Sequence, residues 1–190
     1  MSEFRDAANS LFEVLDRIGV AYAVGGSVAS SLHGIARATQ ALDLVVDLPL
    51  MRTPDLYAAV SSDFYADEDA MRDAIRRGMS FNLIHLKSGL KFDLFIAARH
   101  PLGRDQLAHR RLVETALLGG EAIRFQVISP EDIVLAKLFW YRQGGDASER
   151  QWNDLTNLMT VQRGRLDLTY LKPQALRLGI ADLLARLLAE

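Results

Sequence analysis

The sequence predicts an α+β fold: a mixed β-sheet flanked by helices over residues 1–128, followed by a helical C-terminal region, 129–190, packed on that core. Three observations carry this prediction. Leu42–Val46 and Phe92–Ile96 are short, largely apolar runs, each with one Asp, that read as strands whose successive side chains face opposite sides. At the start of the chain, and again after Ser129, apolar residues recur instead at spacings of three and four, the helical period. Between the first helix and the first such strand, Val24-Gly25-Gly26-Ser27 reads as a strand running through a glycine turn into a short helix.

With 190 residues and 49% hydrophobic content, the chain can bury a substantial core and suits one domain, or one domain with a helical appendix. Its net charge of −2 gives no global attraction to nucleic acid, so any such contact must be local. The absence of cysteine excludes disulfides and thiolate metal sites and fits a reducing compartment. Met1-Ser2-Glu3-Phe4-Arg5-Asp6 does not read as a signal peptide, and no run approaches about 18 uncharged apolar residues. The expectation is a soluble, cytoplasmic protein with no membrane partner.

In chain order, Phe4, Ala8, Leu11, Leu15 and Ile18 form one helical face, which Gly19 ends. Tyr22 to Val24 is a short strand. Ser27 opens a helix of about two turns, and His33-Gly34 closes it, with Gly34 expected as a left-handed cap and His33 as a packed or capping residue. Bare backbone and a helix N-terminus thus meet at Gly25, Gly26 and Ser27, where amide N–H groups can face an anion. Arg37, in the polar loop beyond, suits either a salt bridge to Asp43 or Asp47 or a phosphate. On the strand Ala41 to Asp47, Leu42, Leu44 and Val46 share one face, and Ala41, Asp43, Val45 and Asp47 the other. An Asp amid such apolar surroundings needs a partner, and a metal ion is one.

Thr53-Pro54-Asp55 starts a helix reaching Val60. The acidic cluster Asp67, Glu68 and Asp69 leads into a helix over Ala70 to Arg77, as carboxylates at helix N-termini do, and is assigned no metal. Ser80 to Lys87 and Lys91 to Ala97 form a hairpin around Ser88-Gly89, in which Asp93 sits on the polar face as Asp43 does. Two such carboxylates on neighbouring strands can converge on one cation. Arg99 to Arg111, with four Arg and two His, reads as a solvated connection or as a phosphate-contacting edge. Arg111 to Leu117 and Ala122 to Ile128 complete a sheet of about six strands.

Ser129 caps the next helix, with Pro130 at its first position and Asp132 closing a capping box. Lys137 lies there among Ile133, Val134, Trp140 and Tyr141, so it either snorkels or meets an anion. Gly144-Gly145 ends this helix, and Ser148 with Gln151 opens another whose core stripe is Trp152, Leu155 and Met159. A helix over Asp167 to Leu178 is expected to break or kink at Pro173. The final leucine-rich helix, Ile180 to Leu188, either docks on the domain or offers a dimer face.

Gly25-Gly26-Ser27, His33-Gly34, Arg37-x-Thr39, the strand Asp43 and the later Lys91-Phe92-Asp93-Leu94-Phe95 resemble the nucleotidyltransferase-fold superfamily of the polymerase beta type. Within it they look most like the small bacterial proteins grouped with the abortive-infection nucleotidyltransferase toxins. Ser129-Pro130-Glu131-Asp132 with Lys137, and Ser148-Glu149-Arg150-Gln151 with Asp154, extend the resemblance over most of the chain. It implies a nucleoside triphosphate and Mg²⁺, with transfer of a nucleotide to an RNA or protein hydroxyl and loss of pyrophosphate. Asp43 and Asp93 would be the catalytic metal ligands, Gly25, Gly26, Ser27 and Arg37 would grip the phosphates, and Lys137 would contact the triphosphate. Asp154 would be the late Asp, or would orient Lys137 or Arg150.

One departure divides the functional expectations. The family strand carries two carboxylates separated by one residue, and the spacing from Arg37-x-Thr39 puts the first at Ala41; sliding the motif to Asp43 puts the second at Val45. One metal ligand is therefore missing, so one Mg²⁺ is expected rather than two. Asp47 is a poor substitute, about 13 Å along the strand from Asp43. Two classes follow: a nucleotidyltransferase working with a reduced metal set, or a catalytically inactive relative that binds a nucleotide or a partner protein.

Overall fold

The computed structural model describes residues 3–35, 39 and 41–190. Helix α1 (Glu3–Arg17) buries Leu11, Phe12 and Leu15 on one face. Fully burying each such side chain contributes roughly 1.5–3 kcal/mol. After it come β1 (Tyr22–Val24), α2 (Gly26–His33) and β2 (Ala41–Val46). The chain continues through α3 (Thr53–Val60), β3 (Phe64–Tyr65), α4 (Glu68–Arg77), β4 (Ser80–His85), β5 (Lys91–Ile96), α5 (Gly103–Ala108), β6 (Arg111–Thr115) and β7 (Ile123–Val127). Four helices close it: α6 (Pro130–Gln143), α7 (Glu149–Gln162), α8 (Leu168–Arg177) and α9 (Ala181–Ala189).

The strands form one seven-stranded mixed sheet in the order β3-β4-β5-β2-β1-β7-β6. Parallel β2/β5 and β1/β7 pairs lie among antiparallel neighbours. The architecture is α+β, with helices flanking the sheet and a helical C-terminal region. Side-chain alternation divides β2 between two faces. Leu42, Leu44 and Val46 are fully buried on one, where Tyr22 stands opposite Val46 and stacks on Phe12 of α1 at 5.2 Å. Asp43 and Val45 point to the other, towards α2, α5 and α6.

Several local expectations change. The sheet has a strand that sequence pattern misses, β3, whose two residues are too few to show alternation. Helix α2 begins at Gly26, with Gly25 at its cap position, so Ser27 lies inside the first turn rather than opening it. Gly34 has φ −133°, not a left-handed cap; a Cβ there would lie 2.9 Å from the Ser30 carbonyl oxygen and 3.4 Å from Leu158 Cα, so this glycine serves close approach of α7. Helix α4 starts two residues early, with the Asp67 side chain accepting from the Ala70 N–H. The charged segment 99–111 contains α5 instead of being only a solvated connection. Helix α8 runs continuously through Pro173.

Helix α6 packs on α2, α7 and α8, and α9 packs on α7 and α8. Leu183, Leu184 and Leu187 are buried in that docking. Arg186 covers the Trp152 ring at 3.9 Å, while the indole N–H donates to the Glu190 carboxylate at 3.0 Å. Among the described residues no helix is long and apolar enough to cross a membrane.

Candidate functional site

Parallel pairing of β2 with β5 sets Ala41 beside Lys91, Asp43 beside Asp93 and Val45 beside Phe95. In-register neighbours on adjacent strands face the same side of the sheet, so Asp93 stands beside Asp43; Asp43 lines a cleft there, and Asp93 lies just outside its lining. That cleft, of ≈ 410 Å³, is walled by the Gly25-Gly26-Ser27 turn, by β2 and β5, and by the α6 face carrying Ile133, Ala136, Lys137 and Trp140.

The glycine turn is shaped around Asp43. Gly25 N–H donates to the Asp43 backbone carbonyl at 2.8 Å, and Gly26 has φ +53°. A Cβ on Gly26 would sit 1.7 Å from Asp43 Oδ2, so both the left-handed backbone and the close approach require glycine. The Ser27 N–H hydrogen-bonds the Asp43 side chain. At least one amide of the turn therefore already serves the carboxylate that would hold a cation.

Burial pushes the Asp43 carboxyl above its ordinary range, and the Asp93 charge beside it pushes the same way. The Ser27 N–H and the Lys91 and Lys137 charges oppose that rise. Two neighbouring carboxylates in a partly desolvated cleft repel, and a divalent cation between them relieves the repulsion. Asp43 and Asp93 are the carboxylates available to one such ion here, and Lys91 already pairs with Asp93. Among the described residues no group of three His, Cys, Asp or Glu side chains converges as a metal site.

Two lysines supply positive charge instead. Lys91 Nζ is 2.9 Å from Asp93 Oδ1. Lys91 stands in register with Ala41, while its ammonium reaches along the strand to Asp93. Lys137 Nζ is 3.0 Å from Asp154 Oδ2 and mostly buried. It is thus in the cleft and oriented by Asp154. Asp47 is exposed, outside the cleft lining. Arg37 lies outside the described residues. His33 is a packed residue: burial pulls its imidazole down, and its Nε2 lies 3.2 Å from the Ile128 carbonyl.

Sequence reasoning gives no site role to three residues that line the cleft: Phe95, His100 and Gln106. Lys91 is visible as a strand residue, but its place beside Ala41 depends on register between strands far apart in sequence. Gln106 lies in the charge-rich segment, where composition draws attention to Arg and His.

A second polar cluster lies at the start of α6, outside the cleft. Ser129 Oγ accepts from the Asp132 N–H at 3.1 Å and donates to Asp132 Oδ2 at 2.9 Å. The expected capping box is therefore closed on the Ser129 hydroxyl rather than on its N–H. Tyr170 Oη donates to Asp132 Oδ1 at 2.7 Å, and His109 Nδ1 is 3.4 Å from Oδ2.

No family model and no curated protein sequence matches the chain. Solved structures do resemble it. An antigenic nucleotidyltransferase-like protein from Paracoccidioides brasiliensis is similar at 17% identity and a TM-score of 0.53, over 99% of this chain and 93% of that one. The solution structure of the antibiotic-resistance factor ANT(2″)-Ia is similar at 16% identity and a TM-score of 0.56, over the whole of both chains. The complex of ANT(2″)-Ia with adenylyl-2″-tobramycin is similar at 15% identity and a TM-score of 0.55, over 92% of this chain and 95% of that one.

Proposed function

We propose that this chain, which has the nucleotidyltransferase fold, binds a nucleoside triphosphate together with one Mg²⁺ in the cleft between the sheet and α6. The observation that carries this reading is the in-register pair Asp43 and Asp93, with Asp43 against the glycine turn and Lys137 in the same cleft. Asp43 and Asp93 would hold the cation, which when bound would neutralise phosphate charge and polarise the transferring phosphoryl group. With the Gly25 and Ser27 N–H groups given to Asp43, the positive end of α2 would meet phosphate oxygens. Lys137, held by Asp154, would offer a charge-assisted hydrogen bond to the triphosphate. Arg37 is proposed as a further phosphate contact.

If the protein is catalytic, an acceptor hydroxyl attacks the α-phosphorus. A new P–O bond forms, the bond to the β-phosphate bridge breaks, and pyrophosphate leaves with that electron pair. RNA and protein hydroxyls are the proposed acceptors, in a toxin-like role. Small molecules of the tobramycin kind join them, because a solved relative of the same fold is in complex with adenylyl-2″-tobramycin.

Ala41 and Lys91 favour a second reading of the chemistry. At the place where the superfamily supplies a further carboxylate, this chain has the methyl group of Ala41, and Lys91, in register with it, sends its ammonium to Asp93. A cation there would meet a methyl group rather than a ligand. The second reading is a nucleotide-holding module whose transfer is slow or absent and whose output is a partner protein.

The test incubates wild-type protein and Ala41→Asp with each α-labelled triphosphate, Mg²⁺ and mixed RNA and protein acceptors. Slow or undetectable transfer by wild type, with tighter Mn²⁺ binding by Ala41→Asp, is expected. Robust transfer by wild type would defeat the module reading. Failure of both forms to bind nucleotide or metal would defeat the site.

A further inference from the structure

The cleft floor changes character along the strands. Asp43 marks one end; two residues on, about 6.6 Å along the strand direction, Val45 and its neighbour Phe95 make it apolar. Gln106 of α5, His100 and Trp140 line the same cleft. The His100 and Trp140 rings lie 5.8 Å apart with 31° between their planes, and 46% of Trp140 is exposed. Leu102 N–H points at His100 Nδ1 at 3.3 Å, so the ring's proton belongs on Nε2.

Gln106 is the anomaly. It is only 3% exposed, yet its Oε1 has no hydrogen-bond partner among the described residues, where it is the sole buried side-chain polar atom so placed. Buried polar atoms are almost always satisfied, so an orphan acceptor on a residue that lines a cleft points to a donor brought by a ligand. The residue is also held firmly. Gly103 lets α5 press against Ala97, where a Cβ would fall 2.5 Å from that residue's Cα and carbonyl oxygen. From the outside, Arg177 of α8 clamps α5 by donating to Asp105 at 2.7 Å and to the Pro101 carbonyl at 3.0 Å.

We propose that Gln106 reads the nucleobase of the bound nucleotide, its Oε1 accepting from a ring amino group while the ring stacks on Trp140. This rests on the nucleotide reading of the cleft. Aromatic faces with one fixed amide suit a planar heterocycle, which binds by stacking and by hydrogen bonds at its edge. A carboxamide can also present its N–H beside the oxygen, matching an amino group with an adjacent ring nitrogen, as on adenine.

The test compares ATP, purine riboside triphosphate, which lacks the 6-amino group, and inorganic tripolyphosphate, each with Mg²⁺, by calorimetry on wild type and Gln106→Leu. Wild type is expected to prefer ATP over the deaminated analogue by about tenfold or more. In Gln106→Leu that ratio should fall to about one, while tripolyphosphate affinity stays the same. Leucine removes the orphan acceptor, so thermal stability should hold or rise; a merely structural glutamine would instead lower it. An equal affinity for ATP and its analogue in wild type overturns the proposal, as does a preference that survives Gln106→Leu. Either failure with tripolyphosphate still bound leaves the phosphate site standing and assigns the aromatic end to the acceptor. Binding of none of the three overturns both.

Discussion

Asp43 and Asp132 are both substantially buried carboxylates, and in both burial is the main cause of a raised carboxyl pKa. They differ in what comes next. Around Asp132 the further causes all oppose the rise: the Tyr170 and Ser129 hydroxyls hydrogen-bond it, and His109 attracts it. Around Asp43 the next cause adds to it, because Asp93 is another carboxylate in register on the next strand. The contrast separates a carboxylate that ties α5, α6 and α8 together from one held at a cost, for which a cation is the natural complement. Only the second belongs to the proposed site.

Removing the well-satisfied group should hurt most. Asp132→Ala leaves two hydroxyls without their charged acceptor and is expected to cost about 3 kcal/mol of stability, read by urea unfolding. Nucleotide affinity of the folded fraction should change far less. A negligible stability loss would erase the contrast.

Removing the strained group should have the opposite sign. Asp43→Asn takes away a desolvated charge facing another charge, while an amide oxygen can still accept from the Ser27 N–H. It is expected to raise ligand-free stability by about 1 kcal/mol near neutral pH, the size common for substitutions that relieve a functional site. The gain should depend on pH. Because the folded-state pKa of Asp43 is raised above its unfolded value of about 3.9, the folded protein binds the proton first as pH falls. The penalty in wild type is therefore complete above the raised value and disappears as pH drops through it towards the unfolded one. Unfolding curves across that window should show the advantage of Asp43→Asn shrinking with acidity. Asp132 titrates in both proteins and cancels from the difference.

The elements most legible in sequence are those set by local pattern. The apolar runs of β2 and β5, the glycine turn and the capped start of α6 follow from neighbouring residues alone. The matching places of Asp43 and Asp93 on polar strand faces are legible too, because two similar strands imply similar exposure. What escapes is either too short or too distant. Strand β3 has two residues and α5 has six, below the length at which periodicity speaks. The juxtaposition of Lys91 with Ala41 needs the parallel register, which crosses some fifty positions of sequence. The orphan oxygen of Gln106 needs the packing of α5 against Ala97 and Arg177. The network around Asp132 hides similarly, since His109 and Tyr170 come from elements remote in sequence.

The cation is where the comparison turns into function. Crystals grown with Mn²⁺ and a non-hydrolysable nucleoside triphosphate, measured at the manganese edge, test this most directly. The account predicts one anomalous peak between the Asp43 and Asp93 carboxylates, with phosphate oxygens completing the coordination, and its loss in Asp43→Asn. A peak elsewhere, or nucleotide bound away from the glycine turn, would contradict it.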